Sequence, residues 1–472
     1  MDSTATAPPW SAIFGDLAET ERKVALPAGV PEALIGGTLV RNGGAPSPEW
    51  THLFDGDGLL RSFHFSSAHE LEYRSRYVDT RRRQRIAKGD PPRVFGFGSL
   101  EKRLLPANPK ELFEANNTSN TNVIRMGDEL LTLIESGAPY AVDPKTLETL
   151  GQRTYDGKFG ATRPLSAHPH QCSITGETYN FGMLNGPRPA LRTLRHTAKR
   201  GVEILDTIEL PFAPIVHDFA LTRQYLVFCL GNLRITPKRA IKLPFGYATV
   251  HDILDWELEA PSTVVLAPRD GSAPLMFEGP PYTVFHIAGA NERDGEVFVH
   301  LHRTHDPKRF ANQIQNFRTS DFAGQMSTLC ELRVDTRSGK VALEELSDLS
   351  AEFPYLDGRY ATSDYDRIYA AITPTGRNGL PCAIGAFDLT RNEWQICDFG
   401  DGRVVTEPVF AADPGSETEG AGWLLTTVFD PTRGETDLAI LDARHLNDGP
   451  ICSAELGVNA GFSFHGFFDA PN

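Results

Sequence analysis

The chain is 472 residues long, with a formal net charge of −15 and a pI near 5.4. Apart from the short run Arg81-Arg82-Arg83, which reads as a solvated strand end, no basic cluster offsets that acidity, so the composition argues against a nucleic-acid partner. Six cysteines with no CxxC and no framework spacing predict free, mostly buried thiols in a reducing compartment, and no stretch reaches the roughly 18 consecutive apolar residues of a membrane span.

The opening segment, MDSTATAPPW, has neither the charged nor the apolar region of a signal peptide. A soluble, cytoplasmic protein is expected, with peripheral docking on a membrane surface left open. No Ser/Gly run, Pro-rich tract or charge block marks a linker, so residues 1–472 are expected to form a single domain. Asp-Gly steps recur at 55–56, 57–58, 156–157, 270–271, 294–295, 357–358, 401–402 and 448–449. Asp-Gly between apolar runs is a hairpin signal, since both residues tolerate positive φ. β-rich runs lie at 225–230, 296–302, 367–372, 423–429 and 438–441, whereas helical patterns are confined to 109–115 and 307–317. The chain is therefore all-β, either a sandwich pair or a propeller.

No sequence repeat is evident, but seven dispersed residues favour the propeller: Glu135, His168, His217, His286, Glu352, Glu407 and His465. Most of the intervals between them approximate one four-stranded blade, which runs ~40–50 residues and more with insertions. A ring of similar blades can send one residue each toward a common axis. Each histidine is a polar ring in an apolar context, as in Ile-Val-His217-Asp-Phe and Val-Phe-His286-Ile. Singly, such a residue is more often a satisfied core histidine, but four together point to a shared metal site. The glutamates end or interrupt apolar runs. A buried carboxylate is costly unless bonded, and accepting the Nδ1–H of a metal-bound imidazole would satisfy it.

Ordered motifs then carry a resemblance. They are Gly37-Thr-Leu-Val-Arg41-Asn-Gly43, Phe54-Asp-Gly-Asp-Gly58, Asn120-Thr121-Asn-Val123, Ala167-His168-Pro169, His217-Asp218-Phe-Ala220 and Phe285-His286. Glu352-Phe353-Pro354, Glu407-Pro-Val-Phe410 and Phe464-His465-Gly466 complete the set. The chain resembles the carotenoid cleavage oxygenases, which include stilbene-cleaving dioxygenases and retinoid isomerases. The resemblance implies a seven-bladed propeller with a cap of loops and short helices over the metal face, enclosing an apolar tunnel. It implies that His168, His217, His286 and His465 bind Fe(2+), and that Glu135, Glu352 and Glu407 are their partners. His170 competes with His168, but the family ligand directly precedes proline, as His168 does. Thr121 matches a threonine beside the open coordination position. Dioxygen is implied as co-substrate and no organic cofactor is required.

Two departures bear on substrate. Ile134 stands where relatives that cleave hydroxystilbenes carry a lysine, and residues 94–105 hold no tyrosine to engage a phenol. An apolar side chain cannot stabilise a phenolate, so the expectation leans to an apolar conjugated alkene such as an apocarotenoid. Stilbenes or phenylpropenoids remain the alternative, and an isomerase or a non-catalytic ligand-binding propeller the next. The second departure, Ile287-Ala-Gly-Ala-Asn291 after the third histidine, leaves the tunnel walls undetermined. Residues 94–105 and 243–247 are expected either to rim an apolar entrance or to pack in the core.

Rival signals are weaker. His300, His302 and His305 form a second histidine cluster, read as a strand end running into a turn at Asp306-Pro307. Asp55-Gly-Asp57-Gly lacks the later ligands of a calcium loop and reads as a hairpin turn. Gly96-Phe-Gly98 lacks the third glycine and the βαβ context of a dinucleotide site.

Overall fold

Strands such as Tyr225–Leu230 and Arg367–Thr373 are buried along nearly their whole length. Sheets built from such strands must be covered on both faces. The computed structural model meets that demand by stacking seven sheets around one axis. It describes residues 7–45, 52–89, 96–98, 117–135, 137–160, 163–186, 188–197, 201–243 and 247–471. The expectation of an all-β, seven-bladed propeller is borne out. The expected helix at 109–115 lies outside the described residues.

Blade 1 runs Thr20–Ala25, Glu70–Tyr77, Asp57–Ser67, Thr38–Ala45 and finally His465–Asp469, the last strand of the chain. Asn42 pairs with His465 and Thr38 with Asp469, so the C-terminal strand closes the ring. Blade 2 begins at Asn122–Met126, blade 3 at His170–Gln171, blade 4 at Ala220–Leu221, blade 5 at Val284–Arg293 and blade 6 at Ser350–Tyr355. Blade 7 begins with two short strands, Val404–Val405 and Val409–Ala412, which share the partner Gly422–Asp430. These first strands lie at one edge of their sheets, and several touch the first strand of the next blade. They line the axis.

The core lies between neighbouring blades. Phe181 of blade 3 meets Phe228 of blade 4, with Phe219 stacked on Phe228 at 5.4 Å. Leu39, Phe63 and Phe65 of blade 1 pack against Leu425, Leu438 and Ile440 of blade 7. All six cysteines are free and buried, as expected. Short helices at Pro237–Ala240, Val250–Ile253 and Pro307–Gln315 stand outside the blades. Phe310 of the last helix lies 5.2 Å from Phe285, beside the histidines, so this helix caps the axis.

Several local expectations are corrected. Arg81-Arg82-Arg83 opens a helix, Arg81–Ala87, capped by the Thr80 side chain, and Arg82 is buried against Asp57. Asp55-Gly56 is not a hairpin turn: Gly56 has φ −65° and strand Asp57–Ser67 follows directly. Of the Asp-Gly steps, Asp294-Gly295 forms the two-residue turn, joining Arg293 to its partner Glu296, while Asp270-Gly271 lies in a longer hairpin loop. Asp306-Pro307 is a helix start, with the Asp306 carboxylate accepting the Arg309 N–H.

Candidate metal centre

The strand starts explain why widely spaced residues meet. His168, His217, His286, Glu352, Glu407 and His465 each stand at or near the beginning of the axial strand of a different blade. Glu135 does not. It follows Glu129–Leu133, the second strand of blade 2, whose axial strand is preceded instead by Thr121. Local irregularity aims two of these side chains. His286 lies in a bulge, where the register slips between Val284 and Gly289. Glu352 is followed by a second bulge, with Phe353 at φ +55°. A bulge re-aims a side chain that a regular ladder would hold flat.

The four imidazoles converge. His168 Nε2 lies 3.0 Å from His217 Nε2, and His217 Nε2 lies 3.2 Å from His286 Nε2. One ring nitrogen from each of the four, His465 included, falls within 4.8 Å of the others. The opposite nitrogens face carboxylates. His286 Nδ1 lies 2.5 Å from Glu352 Oε2, and His465 Nδ1 lies 2.7 Å from Glu407 Oε1. His217 Nδ1 sits against Glu135 Oε1. Each carboxylate fixes a tautomer, Nδ1–H outward and the Nε2 lone pair inward.

Electrostatics follow from burial. Burial, then the neighbouring rings, holds His168 and His465 well below the ordinary histidine range. Burial works against the His217 imidazolium too, but the Glu135 carboxylate outweighs it and the net shift is upward. Burial would raise Glu352, yet His286 beside it brings it down to about 2. Glu407 is pushed up to about 8 by burial, which Arg41 only partly opposes. Converging lone pairs repel, and Glu407 is a buried carboxylate short of positive charge. A borderline divalent cation that takes imidazole nitrogen answers both, so this donor set fits a metal ion.

Other expected residues are placed as follows. His170 stays out of the four-ring group and donates from Nε2 to Asp218 Oδ1 at 3.0 Å. Thr121 is half-buried, its hydroxyl 3.4 Å from Asn120 Oδ1, and Ile134 is half-buried between Leu133 and Glu135. His300 bonds Tyr365 at 2.7 Å and His305 bonds Thr328 at 2.7 Å, so these rings do not converge. Residues 94–105 and 243–247 lie mostly outside the described residues. Within them, Phe97 and Gly98 donate backbone N–H groups to Asp55.

The sequence reading missed three residues. Asp218 accepts from three elements, as detailed below. Arg41, fully buried, donates to the Glu407 carbonyl at 2.7 Å and to Ser463 Oγ at 2.7 Å, tying Glu407 to the segment that carries His465. Phe353 places its ring 5.2 Å from His286 and 5.7 Å from His465, an apolar wall on the centre. All three sat inside quoted motifs, and their positions next to or opposite the histidines were the available signal.

The family model described as "RPE65: Retinal pigment epithelial membrane protein" matches residues 17–470. The chain belongs to this family. With that membership, the resemblance read from its motifs and the reading of the chain as an oxygenase are borne out. Among curated relatives, "Isoeugenol monooxygenase" of Pseudomonas nitroreducens is 27% identical over 456 residues, covering 92% of this chain and 91% of its own. "Apocarotenoid-15,15'-oxygenase" of Synechocystis sp. is 26% identical, covering 91% and 89%. The solved structure of "cobalt-substituted Synechocystis ACO" superposes with a TM-score of 0.87 over 98% of both chains at 23% identity, a likeness of fold. No helix among the described residues is long and apolar enough to cross a membrane.

Proposed function

We propose that this protein is a non-haem iron(II) dioxygenase that cleaves a C=C bond of an apolar conjugated alkene to two carbonyl products. The convergence of one ring nitrogen from each of four imidazoles within 4.8 Å carries this reading. His168, His217, His286 and His465 would hold the ion, which when bound would supply the electrons for dioxygen activation. Glu135, Glu352 and Glu407 hold the tautomers of three of those rings. Phe353, Phe285 and Phe310 give the reacting alkene an apolar surface next to the imidazoles and keep water from it. The resemblance assigns Thr121, just before the axial strand of blade 2, to the side on which dioxygen would bind.

Ile134 supports an apocarotenoid-like substrate over a phenol, because a half-buried isoleucine next to Glu135 offers no cation or donor to a phenolate. The curated relatives named above divide between the two substrate classes at nearly equal identity, so the side chains decide. The test is aerobic incubation of iron-loaded protein with an apocarotenal, a hydroxystilbene and a propenylphenol under ¹⁸O₂, read by mass spectrometry. Labelled aldehydes from the apocarotenal are expected. Labelled products from the phenols alone would keep the chemistry and overturn the substrate. An unlabelled product of unchanged mass would make the protein an isomerase.

A further inference from the structure

Three of the four histidine-bearing segments have little backbone ladder to hold them. The axial strand of blade 3 is two residues long, His170–Gln171, and His168 precedes it. That of blade 4 is also two residues, Ala220–Leu221, and His217 precedes it. His286 stands in the bulge of blade 5, where Ile287 and Val284 are the flanking paired residues. His465 differs, being itself a ladder partner of Asn42.

One buried side chain reaches all three poorly laddered segments. Asp218 Oδ1 accepts the Phe219 N–H at 2.8 Å and the His170 Nε2–H at 3.0 Å. Asp218 Oδ2 accepts the Ile287 N–H at 2.9 Å. The same carboxylate lies 3.8 Å from Nδ1 of His168, the one imidazole of the four without a glutamate partner. Its side chain is 5% exposed. A carboxylate this deeply buried is retained at a cost unless its bonds are all made, and three are. Each of the three donors belongs to a residue one or two positions from a histidine of the centre.

We infer that Asp218 is a positioning residue: it fixes the spacing of His168, His217 and His286 where the β-ladder does not, with His170 as its link to blade 3. The inference rests on the metal-centre reading above. Partners of this kind, once removed, typically weaken metal binding roughly tenfold to a hundredfold. Because the bonds run to backbone N–H groups on different blades, their loss alters ligand geometry as well as affinity.

The test uses the full chain, stripped of metal and titrated with Co(II), comparing wild type with Asp218→Asn and His170→Ala. Affinity, the visible spectrum of the saturated Co(II) form and the melting temperature of the metal-free form are read together. Asp218→Asn is expected to lower Co(II) affinity by about tenfold or more and to shift the d–d bands at saturation. His170→Ala, which removes a ring 31% exposed, is expected to fold and to shift both in the same direction, by a few-fold in affinity. A lower melting temperature with an unchanged spectrum and affinity would make Asp218 merely structural and overturn the inference. If Asp218→Asn does not fold, His170→Ala with wild-type affinity and spectrum overturns it equally. If wild type itself fails to bind Co(II), the metal-centre reading falls and the inference with it; if wild type binds and the variants match it, only the inference falls.

Discussion

At the scale of single residues, the centre separates what binds from what supports. His217→Ala removes the ring nearest to two others, at 3.0 and 3.2 Å. It is expected to abolish stoichiometric metal binding and turnover while leaving the metal-free melt within a few degrees, because the ring is closed by strands. A variant that kept full metal content would exclude His217 as a ligand. The four histidines were legible as a set of polar rings in similar contexts, and the resemblance assigned them and the three glutamates their roles. Asp218 was not, although it stood in the same motif: an aspartate next to a histidine reads as a turn residue until its three acceptor bonds are seen. Histidines outside the centre make a separate prediction. His196 is buried, neither ring nitrogen has a protein partner among the described residues, and burial holds it down to about 4. Its folded value lies below the unfolded one near 6.5, so the unfolded chain binds the proton first and stability falls as pH drops from 6.5 toward 4. At pH 5 this single ring accounts for roughly 2 kcal/mol. His196→Leu is expected to flatten the fall of melting temperature between pH 7 and 5; an unchanged slope would mean that His196 is not the titrating group.

At the scale of elements, glycines mark where strands can bear no side chain. A Cβ on Gly466, next to His465, would stand 2.3 Å from the Val40 carbonyl oxygen in the paired strand. The backbone of Val40 and Arg41 there cannot yield cheaply. Gly466→Ala is expected to cost about 1–3 kcal/mol and to weaken metal binding, since the displaced strand carries His465. Gly295 is the contrast. Its φ of +84° serves the two-residue turn of Asp294-Gly295 at the rim of blade 5, where a Cβ would meet only the flexible Arg337 side chain. Gly295→Ala should cost about 1 kcal/mol and leave metal affinity unchanged. Denaturant melts paired with Co(II) titration separate the two, and equal effects on metal binding would defeat the distinction. The sequence made the strands legible, as at Tyr225–Leu230, where the expected and observed limits coincide. It misplaced the Arg81–Ala87 helix because Thr80, the capping side chain that announces it, was passed over in favour of the charges. It also overread Asp-Gly: Asp357-Gly358 lies in the long loop that joins Ser350–Tyr355 to its partner Arg367–Thr373, with the Asp357 carboxylate committed to Arg359, and is not a tight two-residue turn.

At the scale of the whole molecule, closure is what separates a ring of blades from a stack with two open edges. No repeat in the sequence announced that ring; its blades share a geometry without sharing residues, so the histidine and glutamate spacing favoured a propeller and the family resemblance implied the number of blades. The last strand joins blade 1 through the pairs from Asn42–His465 to Thr38–Asp469, and Phe468 packs into the core between blades 7 and 1. Arg41 reinforces the seam through Ser463 and the carbonyls of Glu407 and Phe464. Deleting residues 464–472 removes that ladder, bares the edge of Thr38–Ala45 and uncovers several large apolar side chains, each worth about 1.5–3 kcal/mol when buried. The sum is comparable with the whole net stability of about 5–15 kcal/mol expected for a folded chain. The truncated protein should therefore show no cooperative melt and should aggregate through the bared edge. Chelating the metal from the intact chain tests the complement. The seam needs no ion, so the metal-free protein should still melt in one transition, lowered only by the lost binding energy. A truncated chain that melts like the full one would show that the seam does not hold the ring, and a chelated chain that unfolds outright would show that the metal does.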